Sequence, residues 1–204
     1  MYSTTKATVN NEEFTSSYMP VGINNDVTLK EVNVKKSTTG KDFLEIIFEN
    51  EAGQTVSMTE WKNEKNMWIK TDEELQHRDN LQFGRILQIL NCYYPSIEPT
   101  ELSTFADMIN WVKSKLDPMI ATKKSLRLKV VYDKNGYTVV SSNGIFVEPT
   151  DATETQIKLF KRDLLERPVI ADVETTTDPL ASPTSTLDTE SNNSDSNSDD
   201  ELPF

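Results

Sequence analysis

Hydrophobic and polar positions alternate from Asp26 to Met58, the period of strands with one buried face. In "DVTLKEVNVKK", Val27 and Leu29 share one parity and Val32 and Val34 the other, so this first strand needs a bulge between the two pairs. "KDFLEIIFENEAGQTVSMTEW" predicts two more strands joined by a turn at Asn50-Glu51-Ala52-Gly53. Leu44, Ile46 and Phe48 share a face, as Val56 and Met58 do on the next strand. Phe43, Glu45 and Ile47, then Thr55, Ser57, Thr59 and Trp61, occupy the opposite faces.

A polar stretch, "KNEKNMWIKTDEELQHR", changes the spacing to three and four. One helical stripe runs Phe83, Ile86, Leu87, Leu90, with Asp79 as its cap; a second runs Phe105, Met108, Ile109, Val112, Leu116. Pro95 and Pro99 separate them, within a helical segment near residues 79–116. Period two returns in "SLRLKVVYDKNGYTVVSSNGIFVEP". There Leu126, Leu128, Val130 and Tyr132 alternate with Arg127, Lys129 and Val131. "DKNG" predicts a hairpin turn, and Asn143-Gly144 a bend before Ile145-Phe146-Val147. A short helix is expected within 151–168, roughly from Thr155 to Glu166, ended by Pro168. Three strands, a helical segment and two strands are the plan of a mainly β, five-stranded OB-fold barrel with a helical insertion between strands 3 and 4. A different small β-barrel or an open α+β sheet accommodates the same order.

A flexible N-terminal arm is expected at 1–22 and the barrel domain at 23–150. A disordered acidic linker at 169–198 and a tip at 199–204 follow the short helix. Charge sharpens that division. The net charge is -12, and nine acids lie beyond Arg167, where no lysine or arginine occurs. The body is therefore close to neutral and the tail carries most of the negative charge. The one cysteine, Cys92, forbids an internal disulfide and fits a reducing compartment. No apolar run has membrane-span length and the polar N-terminus is unlike a secretory signal, so a cytoplasmic, membrane-free protein is expected.

Little here supports catalysis. His77, the one histidine, stands in what reads as a polar loop, and one His with one Cys gives no transition-metal ligand set. The six glycines form no phosphate-cradling loop. The expectation is a non-enzyme with no metal and no cofactor. The basic residues are more informative. Lys35, Lys36 and Lys41 gather at the first strand connection, and Lys62, Lys65 and Lys70 surround Trp68, close to Trp61. If Leu126, Leu128 and Val130 face the core, Arg127 and Lys129 face out, as Phe43 and Trp61 do on their strands. Cations for phosphates and flat rings for unpaired bases are what a single strand requires. The bland alternative has solubilising lysines and tryptophans that plug the barrel ends.

The last residues, Asp199, Asp200, Glu201, Leu202, Pro203 and Phe204, place apolar side chains behind acids at the end of a solvated tail. That is the form of a short linear motif for an apolar pocket with a basic rim. The linker Ala171–Ser198 reaches about 30 Å on average as a coil. "DDELPF" resembles the acidic C-terminal tip of bacterial single-stranded DNA-binding proteins, typically Asp-Asp-Asp-Ile-Pro-Phe. Asp199, Asp200, Pro203 and Phe204 match, and Glu201 and Leu202 are conservative replacements. The helical segment is longer than the usual bacterial form, and the bacterial N-terminal strand signature is missing. In plan the chain is most similar to bacteriophage members with a divergent OB-fold, inserted helices and an acidic tail ending in Phe.

The resemblance implies a protein of a host's cytoplasm that coats and protects single-stranded DNA during replication, recombination or repair. It also implies recruitment of a polymerase, helicase or recombinase through residues 199–204. Oligomerisation is open. Lys35, Lys36, Phe43, Trp61, Lys62, Lys65, Trp68, Lys70, Arg127 and Lys129 are the expected DNA-binding set. The rival expectations are an acidic adaptor that binds only proteins, and a recombination mediator or annealing protein.

Overall fold

A computed structural model describes residues 16–98 and 100–168. The expected linker and tip at 169–204, and the first 15 residues of the expected arm, lie outside them. Six strands and two helices follow in the order β1 (Gly22–Lys36), β2 (Asp42–Glu49), β3 (Thr55–Trp61), α1 (Asp72–Tyr93), α2 (Phe105–Ile120), β4 (Leu126–Tyr132), β5 (Thr138–Val140) and β6 (Val147–Pro149). All strand pairs are antiparallel, in the order β3-β2-β1-β4-β5, with β6 pairing β4 beyond β5. β5 comes alongside β3 and nearly closes the barrel. β5 and β6 are two halves of one bent fifth strand. Gly144 sits at the bend with φ +64°, a left-handed conformation that costs glycine least. This is an OB-fold barrel with both helices inserted between its third and fourth strands.

β1 is long because it serves both halves of the barrel. Its C-terminal part pairs with β2 and its N-terminal part with β4. The expected bulge falls at Lys30, between the pairs Leu29–Phe48 and Glu31–Ile47. A second, at Asn25-Asp26, uses a positive φ of 57° at Asp26. The bulge at Lys30 keeps Val27, Leu29 and Val32 all buried despite their change of parity. Cross-strand rows Leu29–Phe48–Val56 and Val32–Ile46–Met58 form the barrel floor. Ile86, Ile89 and Leu90 of α1 and Met108, Ile109, Val112 and Leu116 of α2 join the same core.

Three expectations need correction. α1 begins at Asp72, a full two turns before Asp79, because Thr71 and Glu74 form a reciprocal capping box. His77 therefore stands on an exposed face of α1, not in a loop. Residues 16–22 are no free arm: Met19 is fully buried, donates its N–H to Thr55 O at 3.0 Å, and Thr55 N–H reaches Ser17 O at 3.0 Å. Residues 151–168 form no helix. They run as an irregular strap with a turn where Asp163 N–H donates to Phe160 O (2.9 Å), and several of its other backbone groups bond to the barrel. Gln156 N–H donates to Glu148 Oε2 (2.9 Å), Lys158 O accepts from Lys129 Nζ (2.9 Å) and Leu164 O accepts from Tyr132 N–H (2.8 Å).

Candidate nucleic-acid interface

Register places Lys35, Phe43 and Trp61 in one row across β1, β2 and β3, on the face turned away from the core. The two rings stack with centroids 4.4 Å apart and planes 27° from parallel, a contact worth about 0.5–1.5 kcal/mol beyond its burial. Trp61 still exposes 43% of its surface. Its main chain is held from behind, where Gln82 of α1 donates from Nε2 to Trp61 O at 2.7 Å and to Glu60 Oε2 at 2.9 Å. Arg85 approaches Glu60 at 2.8 Å. Burial raises the Glu60 carboxyl pKa, against the opposing pull of Arg85 and Gln82. A buried polar cluster thus ties the end of β3 to α1 and fixes the indole's base.

The connection from β3 to α1 presents a second ring. Asn66 Oδ1 accepts from Trp68 N–H (2.8 Å) and Ile69 N–H (3.1 Å), while Asn66 N–H donates to Ile69 O (3.0 Å). This turn buries Ile69 and throws Met67 and Trp68 outward, with Trp68 81% exposed. Met67 and Trp68 thus stand as neighbouring exposed apolar side chains on an ordered turn.

Lysines frame these rings. Lys41 pairs with Glu64 (2.8 Å), Lys65 with Asp72 (2.7 Å), Lys35 with Glu45 (2.5 Å), and Lys36 lies 3.8 Å from Asp42. The hydrogen bond from Lys41, with its charge, holds the Glu64 carboxyl below its ordinary pKa. Lys62 and Lys70 are exposed and form no ion pair among the described residues. Exposed pairs contribute little to stability because water screens them and ordering two long chains costs entropy. Such lysines can exchange a carboxylate for a phosphate at small cost. Between the β1–β2 turn, Trp61 and the start of α2 opens a cleft of about 480 Å³. Gly40, Lys41, Asp42, Trp61, Lys62, Glu64, Thr104, Phe105 and Ala106 line it.

Eight of the ten expected DNA-binding residues thus lie on β1, β2, β3 and the connection that follows. Arg127 and Lys129 do not join them. Their parity is as expected, since Leu126, Leu128 and Val130 are buried in the core. The strap, however, covers the far side of β4. Lys129 is fully buried, with Nζ bonded to Asn143 O (2.7 Å), Lys158 O (2.9 Å) and Asp163 Oδ2 (3.2 Å), and lies 4.7 Å from the Phe160 ring centroid. Arg127 is mostly enclosed, paired with Glu148 and bonded to Asn25 Oδ1 at 2.9 Å. Both are structural cations. Phe105 belongs by spacing to the core stripe of α2, yet it is half-buried and lines the cleft. Its place as the first member of that stripe, beside the capping Thr104, is the signal in the sequence that points to this.

No family model matches this chain, and no curated protein does. Among the described residues no helix is long and apolar enough to cross a membrane.

Proposed function

We propose that this chain binds single-stranded DNA by stacking bases on Trp61 and Trp68 and drawing phosphates to the lysines around them, without catalysing a reaction. The stack of half-buried Phe43 under exposed Trp61, in register with Lys35 and next to the lysine-bearing β1–β2 turn, carries this reading. The strand follows the outer face of β1, β2 and β3 toward the β3–α1 connection. Phosphates replace carboxylates at Lys35, Lys36, Lys41 and Lys65 and approach Lys62 and Lys70 directly. A duplex hides its base faces and cannot use the rings. Residues 199–204 complete the proposal as a docking motif for replication, recombination or repair proteins, repelled from the DNA-occupied face by their charge.

A titration of the full chain with oligo-dT and with its duplex, at several salt concentrations, tests this. Preference for the single strand, quenched tryptophan fluorescence and an affinity that falls with rising salt are expected. Trp61→Ala should weaken binding by about 5- to 140-fold, the worth of one stacked base. Equal binding of single strand and duplex, or an unchanged affinity in Trp61→Ala, would refute the proposal.

The paired lysines favour one second reading. With Glu45, Asp42, Glu64 and Asp72 already opposite four of them, the face is close to neutral, as suits an adaptor that binds only proteins. No quenching by oligo-dT at low salt would select it. A mediator or annealing protein would instead bind oligo-dT and speed pairing of complementary strands.

A further inference from the structure

The cleft beside Trp61 differs in chemistry from the lysine-framed face around it. Two aromatic residues on different elements, Trp61 from β3 and Phe105 from the first turn of α2, contribute to its wall. Asp42 and Glu64 bring carboxylates and Lys41 and Lys62 bring ammonium groups, so the charges balance. With no net charge, the lining as a whole gives a phosphate little attraction into the cleft, although Lys41 and Lys62 can each pair with one locally. A nucleobase suits it better. Its faces are apolar and polarisable, and its edges carry neutral donors and acceptors. The volume of about 480 Å³ lies within the range of pockets that enclose small ligands. The cleft is also continuous with the proposed strand path, since Trp61 belongs to both.

We infer that this cleft receives one nucleobase of the bound strand, turned out of line with its neighbours, with its amino edge toward Asp42 and Glu64. The inference rests on the proposed single-strand binding and adds a base preference to it. Carboxylates accept hydrogen bonds and cannot donate them at neutral pH, so they reward an exocyclic amine. Cytosine N4 and adenine N6 offer that donor, whereas thymine presents O4 in the same place. Asp42 is the better placed of the two acids. Its Lys36 partner stands 3.8 Å away, too far for a hydrogen bond, whereas Glu64 is engaged by Lys41 at 2.8 Å. Binding on Trp61 and Trp68 alone would be indifferent to base identity; the cleft makes one position selective.

The test uses the full chain and labelled oligo-dC and oligo-dT of equal length, read by fluorescence anisotropy at pH 8. Two variants separate the parts. Ala106→Phe fills the cleft from an exposed helical position, and Asp42→Asn replaces the acceptor pair with an amide. The wild type should prefer oligo-dC by about threefold to tenfold, the worth of a hydrogen bond to a half-exposed carboxylate. Asp42→Asn should bring the ratio of affinities close to one. Ala106→Phe should weaken both oligonucleotides and remove the preference, and thermal melting will confirm that it folds. A wild-type ratio that both variants leave unaltered would overturn the base site. If Trp61→Ala still weakens binding in that case, single-strand binding stands without the site. If Trp61→Ala is also without effect, the underlying function has failed instead.

Discussion

Replacing Asp163 with asparagine exchanges one oxygen for an NH₂ group, yet the surroundings leave that group nowhere to go. One carboxylate oxygen accepts from Lys129 Nζ (3.2 Å) and Phe160 N–H (2.7 Å), the other from Asn143 Nδ2 (2.6 Å) and Ser141 Oγ (3.3 Å). Either orientation of the new amide turns donors against donors. It also leaves the Lys129 ammonium, with no exposed surface, held by two carbonyls and no counter-charge. Removing one partner of a buried ion pair costs about 3–5 kcal/mol, a large share of a typical domain's stability of about 5–15 kcal/mol. Urea unfolding of Asp163→Asn should show that loss, and hydrogen exchange should show the Tyr132 amide losing protection as the strap lifts. The double variant Lys129→Met/Asp163→Leu removes the uncompensated charge but leaves Phe160 N–H, Asn143 Nδ2 and Ser141 Oγ without their acceptor, so it should recover only part of the loss. The effect of pH has a definite sign. The Asp163 carboxyl is exposed to opposing influences: burial raises its pKa, and the bonds from Phe160, Asn143 and Lys129 prevail and lower it. Its contribution is therefore complete above the unfolded value of about 3.9 and disappears as pH falls through the lower folded value. An Asp163→Asn loss below about 1 kcal/mol at pH 7 would refute the claim that the buried lysine depends on this carboxylate.

Three further outcomes are expected. Removing residues 199–204 should abolish recruitment of partner proteins in pull-down while leaving oligo-dT affinity unchanged or tighter; a strong loss of affinity would contradict competition between tail and DNA. Cys92, whose thiol pKa is pushed up to about 12 by burial, should resist a disulfide exchange reagent at pH 8 in the native protein and react promptly once unfolded. Gly144→Ala should destabilise the fold by about 1–3 kcal/mol in thermal melts. The residue has φ +64°, and an added Cβ would meet the Phe160 ring at 2.8 Å.

Periodicity carried the parts of the fold whose environment is one-sided. β2, β3 and α2 each bury a single face in one core, so their spacing announced both element and orientation. The bulge at Lys30 was legible for the same reason, since a row that changes parity can stay buried only by taking in one extra residue. The beginning of α1 was not, because residues 72–80 present little apolar surface and the helix there rests on its cap; Thr71 and Glu74 were the visible sign. The strap failed differently. Ile157, Phe160 and Leu164 have helical spacing, but β4 claims the backbone groups that a helix would use internally. That claim also decided Arg127 and Lys129. Alternation says which residues point away from a barrel, and cannot say that another piece of chain lies over them.

The division of β1 between two partners shapes how the molecule must come together. The β1–β2–β3 meander needs only near neighbours in the chain and can form as soon as residue 61 is available. The other half of β1 waits for β4, since Gly22 meets Val130 and Val27 meets Leu126, separations of about a hundred residues that slow folding through the entropy of closing so large a loop. During synthesis the first half of β1 would stand as an unsatisfied edge until the far half of the protein emerged. A chaperone or a second nascent chain would find that edge first, which makes residues 22–27 the place where misassembly of this protein should begin.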